Sequence, residues 1–165
     1  DAINCIRITR ENELIKLSGY NTDYMDFIDS LKPELNSYSI KALVLGSGGA
    51  SRAVCHALRQ LTIDYQIVSR HPGRNHLSYN DLDARILSDH TLIINTTPLG
   101  MWPDISSLPP IPFHLLTPAH FLYDLVYNPE ETVFFIKGKE MGCKVKNGLE
   151  MLELQAEFSW KIWNR

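Results

Sequence analysis

The chain is 165 residues long and carries a formal net charge of −3, with 44% apolar and 21% charged side chains. That balance is typical of a soluble globular protein of one domain, or of one domain and part of a second. It excludes a basic nucleic-acid binder; no apolar stretch is long enough to span a membrane, and no signal peptide is visible.

In chain order, Ala2 to Thr9 alternates like a strand, with no turn or cap before it and Asp1 rather than Met at the start. It reads as cut from a longer protein. Ile6 to Leu17 reads as a hairpin: Ile6 and Ile8 alternate, Arg10 to Glu13 turns, and Leu14, Ile15 and Leu17 return. Thr22 or Asn21 is then placed to cap a helix carrying Met25, Phe27, Ile28 and Leu31, ending near Pro33. Asn36 to Ser39 reads as a polar linker.

Strands and helices alternate beyond the linker. Strands are expected at Ala42–Leu45, Tyr65–Ser69, His76–Tyr79, Thr91–Asn95, Phe121–Val126 and Cys143–Lys146. Helices are expected at Gly49–Leu61, Asp81–Leu87, Glu130–Met141 and from about Leu149 to Trp163, with a Pro-rich loop from Thr97 to Pro118. Alternation of this kind implies a doubly wound, mainly parallel α/β sheet with right-handed crossovers. With a glycine turn after its first strand, the expected arrangement is the Rossmann one, strand order 3-2-1-4-5-6. Cys5, Cys55 and Cys143 are odd in number and scattered, and the six His form no H-x-x-x-H pattern. We read free thiols in a reducing cytoplasm, with Cys55 packed in a helix and no metal site.

The chemistry concentrates at Val44-Leu-Gly-Ser-Gly-Gly-Ala-Ser-Arg-Ala-Val54. An apolar strand runs into Gly46, Gly48 and Gly49, and Ala53, Val54, Ala57, Leu58 and Leu61 then recur at helical spacing. Gly46 suits a tight turn, and Gly48 has no Cβ to keep backbone from a ligand. The free N–H groups of the helix start favour a pyrophosphate. The pattern departs from G-x-G-x-x-G at its last position, which is Ser51. An ordinary strand-to-helix turn is the alternative.

The second strand ends Val68-Ser69-Arg70-His71, with Arg74 close behind and no acid to take a ribose 2′-OH. Two guanidinium groups suit a 2′-phosphate, hence NADP over NAD; solvated loop charges are the alternative. Asp64 opens that strand, at the wrong end to reach a ribose. The absence of an acid also speaks against a methyltransferase. Asn95, Thr96, Thr97 and Gly100 end the fourth strand at the expected ligand edge, and Tyr127 follows the fifth, to stack, donate or simply pack.

Six segments in order then resemble the shikimate dehydrogenases: Gly19–Asp23, Gly46–Ala50, Ser69-Arg70, Asn95–Met101, Tyr123–Pro129 and Asn147–Ala156. Ala2-Ile-Asn4 is similar to their Ala-Val-Asn-Thr segment, with Cys5 for Thr. The resemblance covers the whole chain and matches the family's C-terminal, NADP-binding part. It divides the chain into a remnant of the substrate domain (1–20), a nucleotide domain (21–146) and a helix returning to the substrate domain (147–165).

The resemblance implies the rest of the assignment. Asp23 matches the catalytic aspartate, partner of a lysine expected in the missing N-terminal domain together with its paired serines; otherwise Asp23 is a capping residue. Asn4, Thr22, Asp23 and Gln155 match substrate contacts, though Gln155 by itself reads as an exposed helix amide. Gly46, Gly48, Gly49, Ala50, Ser69, Arg70, Arg74, Thr96, Met101 and Gly148 match the cofactor side. Ser69-Arg70-His71 stands where the family has Asn-Arg-Thr, and Thr97-Pro98 replaces a commoner Ser. The implied activity is NADP-dependent reduction of 3-dehydroshikimate to shikimate, in the cytoplasmic route to chorismate and the aromatic amino acids. The implied partners are that small substrate and a monomer or homodimer, with no nucleic acid and no membrane; the isolated chain is expected to bind cofactor without turnover. An NAD-using quinate/shikimate dehydrogenase and a non-catalytic nucleotide-binding module are the alternatives.

Overall fold

The computed structural model describes residues 3–11, 14–35 and 40–164. A two-stranded antiparallel hairpin, β1 (Cys5–Glu11) and β2 (Leu14–Tyr20), leads into helix α1 (Asp23–Leu31). A six-stranded parallel sheet follows, built from β3 (Lys41–Leu45), β4 (Asp64–Val68), β5 (His76–Leu77), β6 (Leu92–Asn95), β7 (Phe121–Asp124) and β8 (Lys144–Lys146). Its order is β5-β4-β3-β6-β7-β8, the expected doubly wound arrangement. The helices are α2 (Gly49–Gln60), α3 (Ala84–Asp89), α4 (Val133–Glu140) and α5 (Leu149–Trp163).

Alternation along the strands gives each face its own core. Val44, Ile94 and Tyr123 point to one face and meet Val54 and Leu58 of α2 with Phe27 and Leu31 of α1. Leu43, Leu45, Ile93 and Leu122 point to the other and meet Leu87, Leu116 and Phe134. Each such large side chain contributes roughly 1.5–3 kcal/mol by leaving water. Helix α5 crosses back over α1, so the two ends of the described chain lie against each other.

The local differences from expectation have local causes. Residues Ser18 to Tyr20 continue the hairpin strand rather than starting a loop; part of the expected turn, residues 12 and 13, and the expected linker, residues 36–39, lie outside the described residues. Thr22 takes the N-cap position of α1, but its side chain caps nothing. The third strand stops at Leu77, because Ser78 and Asp81 close a capping box around a 3-10 turn. Asp83 then caps α3 by accepting from Ile86 N–H at 2.8 Å, which moves that helix to Ala84–Asp89. Strand β7 ends at Asp124, not Val126, and α4 starts at Val133 rather than Glu130. Thr132 is the cap, its hydroxyl accepting from Phe135 N–H.

Candidate active site

Parallel register brings Val68, Leu45, Asn95 and Asp124 level at the carboxyl edge of the sheet. Just beyond them, Gly46 N–H reaches Val68 C=O at 2.8 Å and Thr96 N–H reaches Leu45 C=O at 3.0 Å, forming a rim. Gly46 has φ +109°, and a Cβ there would sit 2.9 Å from Thr96 Oγ1, so only glycine fits this turn. The Thr96 hydroxyl is spent on Leu45 C=O at 2.6 Å, holding the two strand ends together.

Gly48 and Gly49 are exposed, and a Cβ at either would meet no protein atom within 4 Å. No side chain caps α2. The start of a 12-residue helix thus faces open space with its amide dipoles behind it, which fits the pyrophosphate of a dinucleotide. Ala50 leads from this turn into a cleft of about 380 Å³ walled by Thr96, Thr97, Met101, Leu125 and Tyr127. Gly148 lies behind that wall: its N–H bonds Val126 C=O, and a Cβ would stand 2.1 Å from Leu125 C=O.

At the end of β4, Ser69 is buried, and its hydroxyl lies 3.3 Å from that of Ser47 in the glycine turn. Arg70 and Arg74 are exposed around the same end, while Asp64 sits at the opposite end of the strand.

Asp23 is the first residue of α1, not its cap. Its Oδ1 accepts from Asn4 Nδ2 and from Gln155 Nε2, each at 2.5 Å. Asn4 also accepts from Thr22 N–H at 2.8 Å and donates to the Thr22 hydroxyl at 3.0 Å; the Thr22 backbone is itself helical, and its C=O rather than its hydroxyl takes the N–H groups of Met25 and Asp26. The structure therefore brings Asn4, Thr22, Asp23 and Gln155 into one cluster. A second cleft, of about 480 Å³, reaches from Asn21 and Tyr24 beside this cluster to Gly49 and Arg52 of the glycine-turn helix.

Two buried carboxyl groups stand behind these features. Asp124 is buried at the end of β7, and burial pushes it up to about 6 against the pull of Thr132, Val126 and Asn95. Asp26 is buried one turn after Asp23. Burial pushes it up to about 7, with the nearby Thr22 hydroxyl a smaller opposing influence. Neither of its oxygens has a hydrogen-bond partner among the described residues.

The chain is 36% identical to the NADP-dependent shikimate dehydrogenase of Methanococcus aeolicus, over 98% of this chain and 62% of that one. The chorismate mutase/shikimate 5-dehydrogenase fusion protein of Clostridium acetobutylicum superposes with TM-score 0.81 at 36% identity, covering 99% of this chain and 61% of the other. The shikimate 5-dehydrogenase of Thermus thermophilus, solved with NADP(H) and shikimate, superposes with TM-score 0.77 at 31% identity, covering 94% of this chain and 60% of the other. No family model matches the chain. The chain is a homologue of the shikimate dehydrogenases. It spans about three fifths of the length of the curated relatives it matches.

Within this shikimate dehydrogenase homologue, sequence reasoning misses the group that joins the loops of the smaller cleft. Asn95, expected at the ligand edge, is fully buried and bonded to Asp124. The signal available is an acid directly ending an apolar strand, Phe121-Leu-Tyr-Asp124, with Thr132 eight residues later. Among the described residues, no group of His, Cys, Asp and Glu could hold a metal ion, and no helix is long and apolar enough to cross a membrane.

Proposed function

We propose that this chain is the cofactor-binding part of an NADP-dependent shikimate dehydrogenase, moving a hydride between NADPH and 3-dehydroshikimate on the route to chorismate, in the reducing cytoplasm. One observation carries the reading: the Asp23 carboxylate is held by two amides, from Asn4 and Gln155, beside a cleft that runs to the open glycine turn. In this reading residues 1–20 belong with the substrate domain, 21–146 hold the nucleotide, and 147–165 return to the substrate domain.

The bound cofactor would supply the hydride; the chain positions and polarises. Gly46, Gly48, Gly49 and Ala50 receive the pyrophosphate, and Ser69, Arg70 and Arg74 receive the 2′-phosphate. Thr96, Met101 and Gly148 shape the nicotinamide end. Asn4, Thr22 and Gln155 form the polyol-substrate side of the site: Asn4 and Gln155 aim Asp23, and the buried Thr22 anchors Asn4, so that a proton moves at the Asp23 carboxylate while alkoxide charge develops on the substrate. The lack of an acid after β4 supports NADP over the NAD of a quinate-type enzyme.

Calorimetric titration of the chain with NADPH and NADH, with an assay of NADP-dependent shikimate oxidation by the full-length enzyme, tests the reading. Preference for NADPH with shikimate oxidation by the enzyme supports it. Equal affinity for both cofactors, or oxidation of quinate in place of shikimate, would move the protein to the NAD-using reading; binding without oxidation would leave a nucleotide-binding module.

A further inference from the structure

We infer that Asp124 is a positioning residue, the buried latch that sets the shape of the nicotinamide end of the cofactor cleft. This rests on the cofactor reading above. The cleft of about 380 Å³ is walled by the loop after β6 and the loop after β7, and neither belongs to the sheet. Asp124 joins them from below. Its Oδ1 accepts from Asn95 Nδ2 at 2.9 Å and from Val126 N–H at 3.1 Å, and its Oδ2 accepts from the Thr132 hydroxyl at 2.5 Å.

Each partner extends the latch. Asn95 Oδ1 accepts from both the N–H and the hydroxyl of Thr97, at 3.0 and 2.6 Å, so the loop after β6 is set by the side chain that Asp124 orients. Thr132 caps α4 and packs within 3.3 Å of where a Cβ on Gly100 would lie, so the far end of the same loop closes on the same network. Val126 lies in the opposite wall, and its C=O accepts from Gly148 N–H. Asp124, Asn95 and Thr132 are each at most 1% exposed, and Asp124 does not itself line the cleft. A buried carboxylate with three donors is a costly group to leave unmatched, and its effect on a ligand passes through Thr97 and Val126.

The test compares two ligands, NADPH and 2′,5′-ADP, which shares the adenosine phosphates but has no nicotinamide. Asp124→Ala should weaken NADPH roughly tenfold or more and leave 2′,5′-ADP within about twofold. Asp124→Asn should restore NADPH binding, because an amide oxygen can still accept from Asn95 and Val126 while its NH₂ donates to Thr132. If Asp124→Ala does not fold, Thr132→Val removes one arm of the latch and is read the same way, with a several-fold loss confined to NADPH. Equal weakening of both ligands, unchanged NADPH affinity, or an Asn variant as impaired as Ala would overturn the inference. A wild-type protein that binds neither ligand would overturn the cofactor reading and the latch with it.

Discussion

Gln155 on α5 donates to Asp23 on α1 at 2.5 Å, across 132 residues of sequence. Asn4 donates to the same oxygen from the other end of the chain. An exposed-looking helix amide and a candidate helix cap are thus two halves of one arrangement, and α1 is held where its first residue is useful.

In the full-length enzyme, on the proposed reading, Asp23→Asn should lower the turnover number for shikimate by roughly 10²–10⁴, the worth of a positioned acid–base group. It replaces the acceptor of two amides with a group that is half donor. NADPH affinity should stay within about twofold, since the glycine turn does not bond to Asp23. Steady-state kinetics with calorimetry separate the two, and a near-wild-type turnover number would reduce Asp23 to a structural role.

Arg70→Ala should weaken NADPH roughly ten- to a hundredfold more than NADH, because only NADPH carries the 2′-phosphate that a guanidinium can fork onto. Arg74→Ala should act in the same direction but less. Titration of both cofactors reads the difference; an equal loss for the two would remove Arg70 from the phosphate site.

Gly148→Ala tests packing under the cleft wall. The new Cβ would meet Leu125 C=O at 2.1 Å, and the obstacle is backbone, so it has no rotamer to escape into. Destabilisation of roughly 1–3 kcal/mol is expected, with loss of NADPH affinity as Leu125 moves. Urea unfolding measures the first; an unchanged midpoint would show that β8 and α5 shift freely.

Asp26 makes stability depend on pH in an unusual direction. Its folded value, about 7, lies above its unfolded one, so the folded state keeps a proton that the unfolded state releases. This contribution is fully present below about pH 4 and is lost as pH rises through about 7. Its upper bound is about 4 kcal/mol. Asp124 acts in the same sense up to about 6, while Glu34, held down by hydrogen bonds from Lys144 and Lys146, acts oppositely below its unfolded value. Urea unfolding from pH 4 to 8 should show a falling stability that Asp26→Asn flattens. A slope identical in the variant would mean that Asp26 is hydrated in solution.

The glycine unit is legible in the sequence because all its determinants are local. Ala42 to Leu45, the turn at Gly46 and the 53–54–57–58 stripe sit within one βα unit, and the structure keeps them to within a residue. Strand order follows from the same unit once alternation is read. What the sequence hides is decided at a distance. Asp26 sits among polar residues in the sequence of α1, yet it is buried in a helix that packs against both α2 and α5. Thr22 reads as a cap, yet Asn4 takes its hydroxyl from 18 residues away. Asp124 has little local signature, since its partner Asn95 is fixed by strand pairing.

The Asp23 cluster ties residue 4 to residues 23 and 155, whereas the glycine turn and the six-stranded sheet lie wholly between residues 41 and 146. A pulling force applied between residues 4 and 163 would therefore load two ties first, Trp163 Nε1–H to Ile6 C=O at 3.1 Å and the Asn4–Asp23–Gln155 tie. Extended at constant velocity, the molecule should part there at low force and release the hairpin and α5. The sheet, with its cofactor cradle intact, should rupture as a later and stronger event.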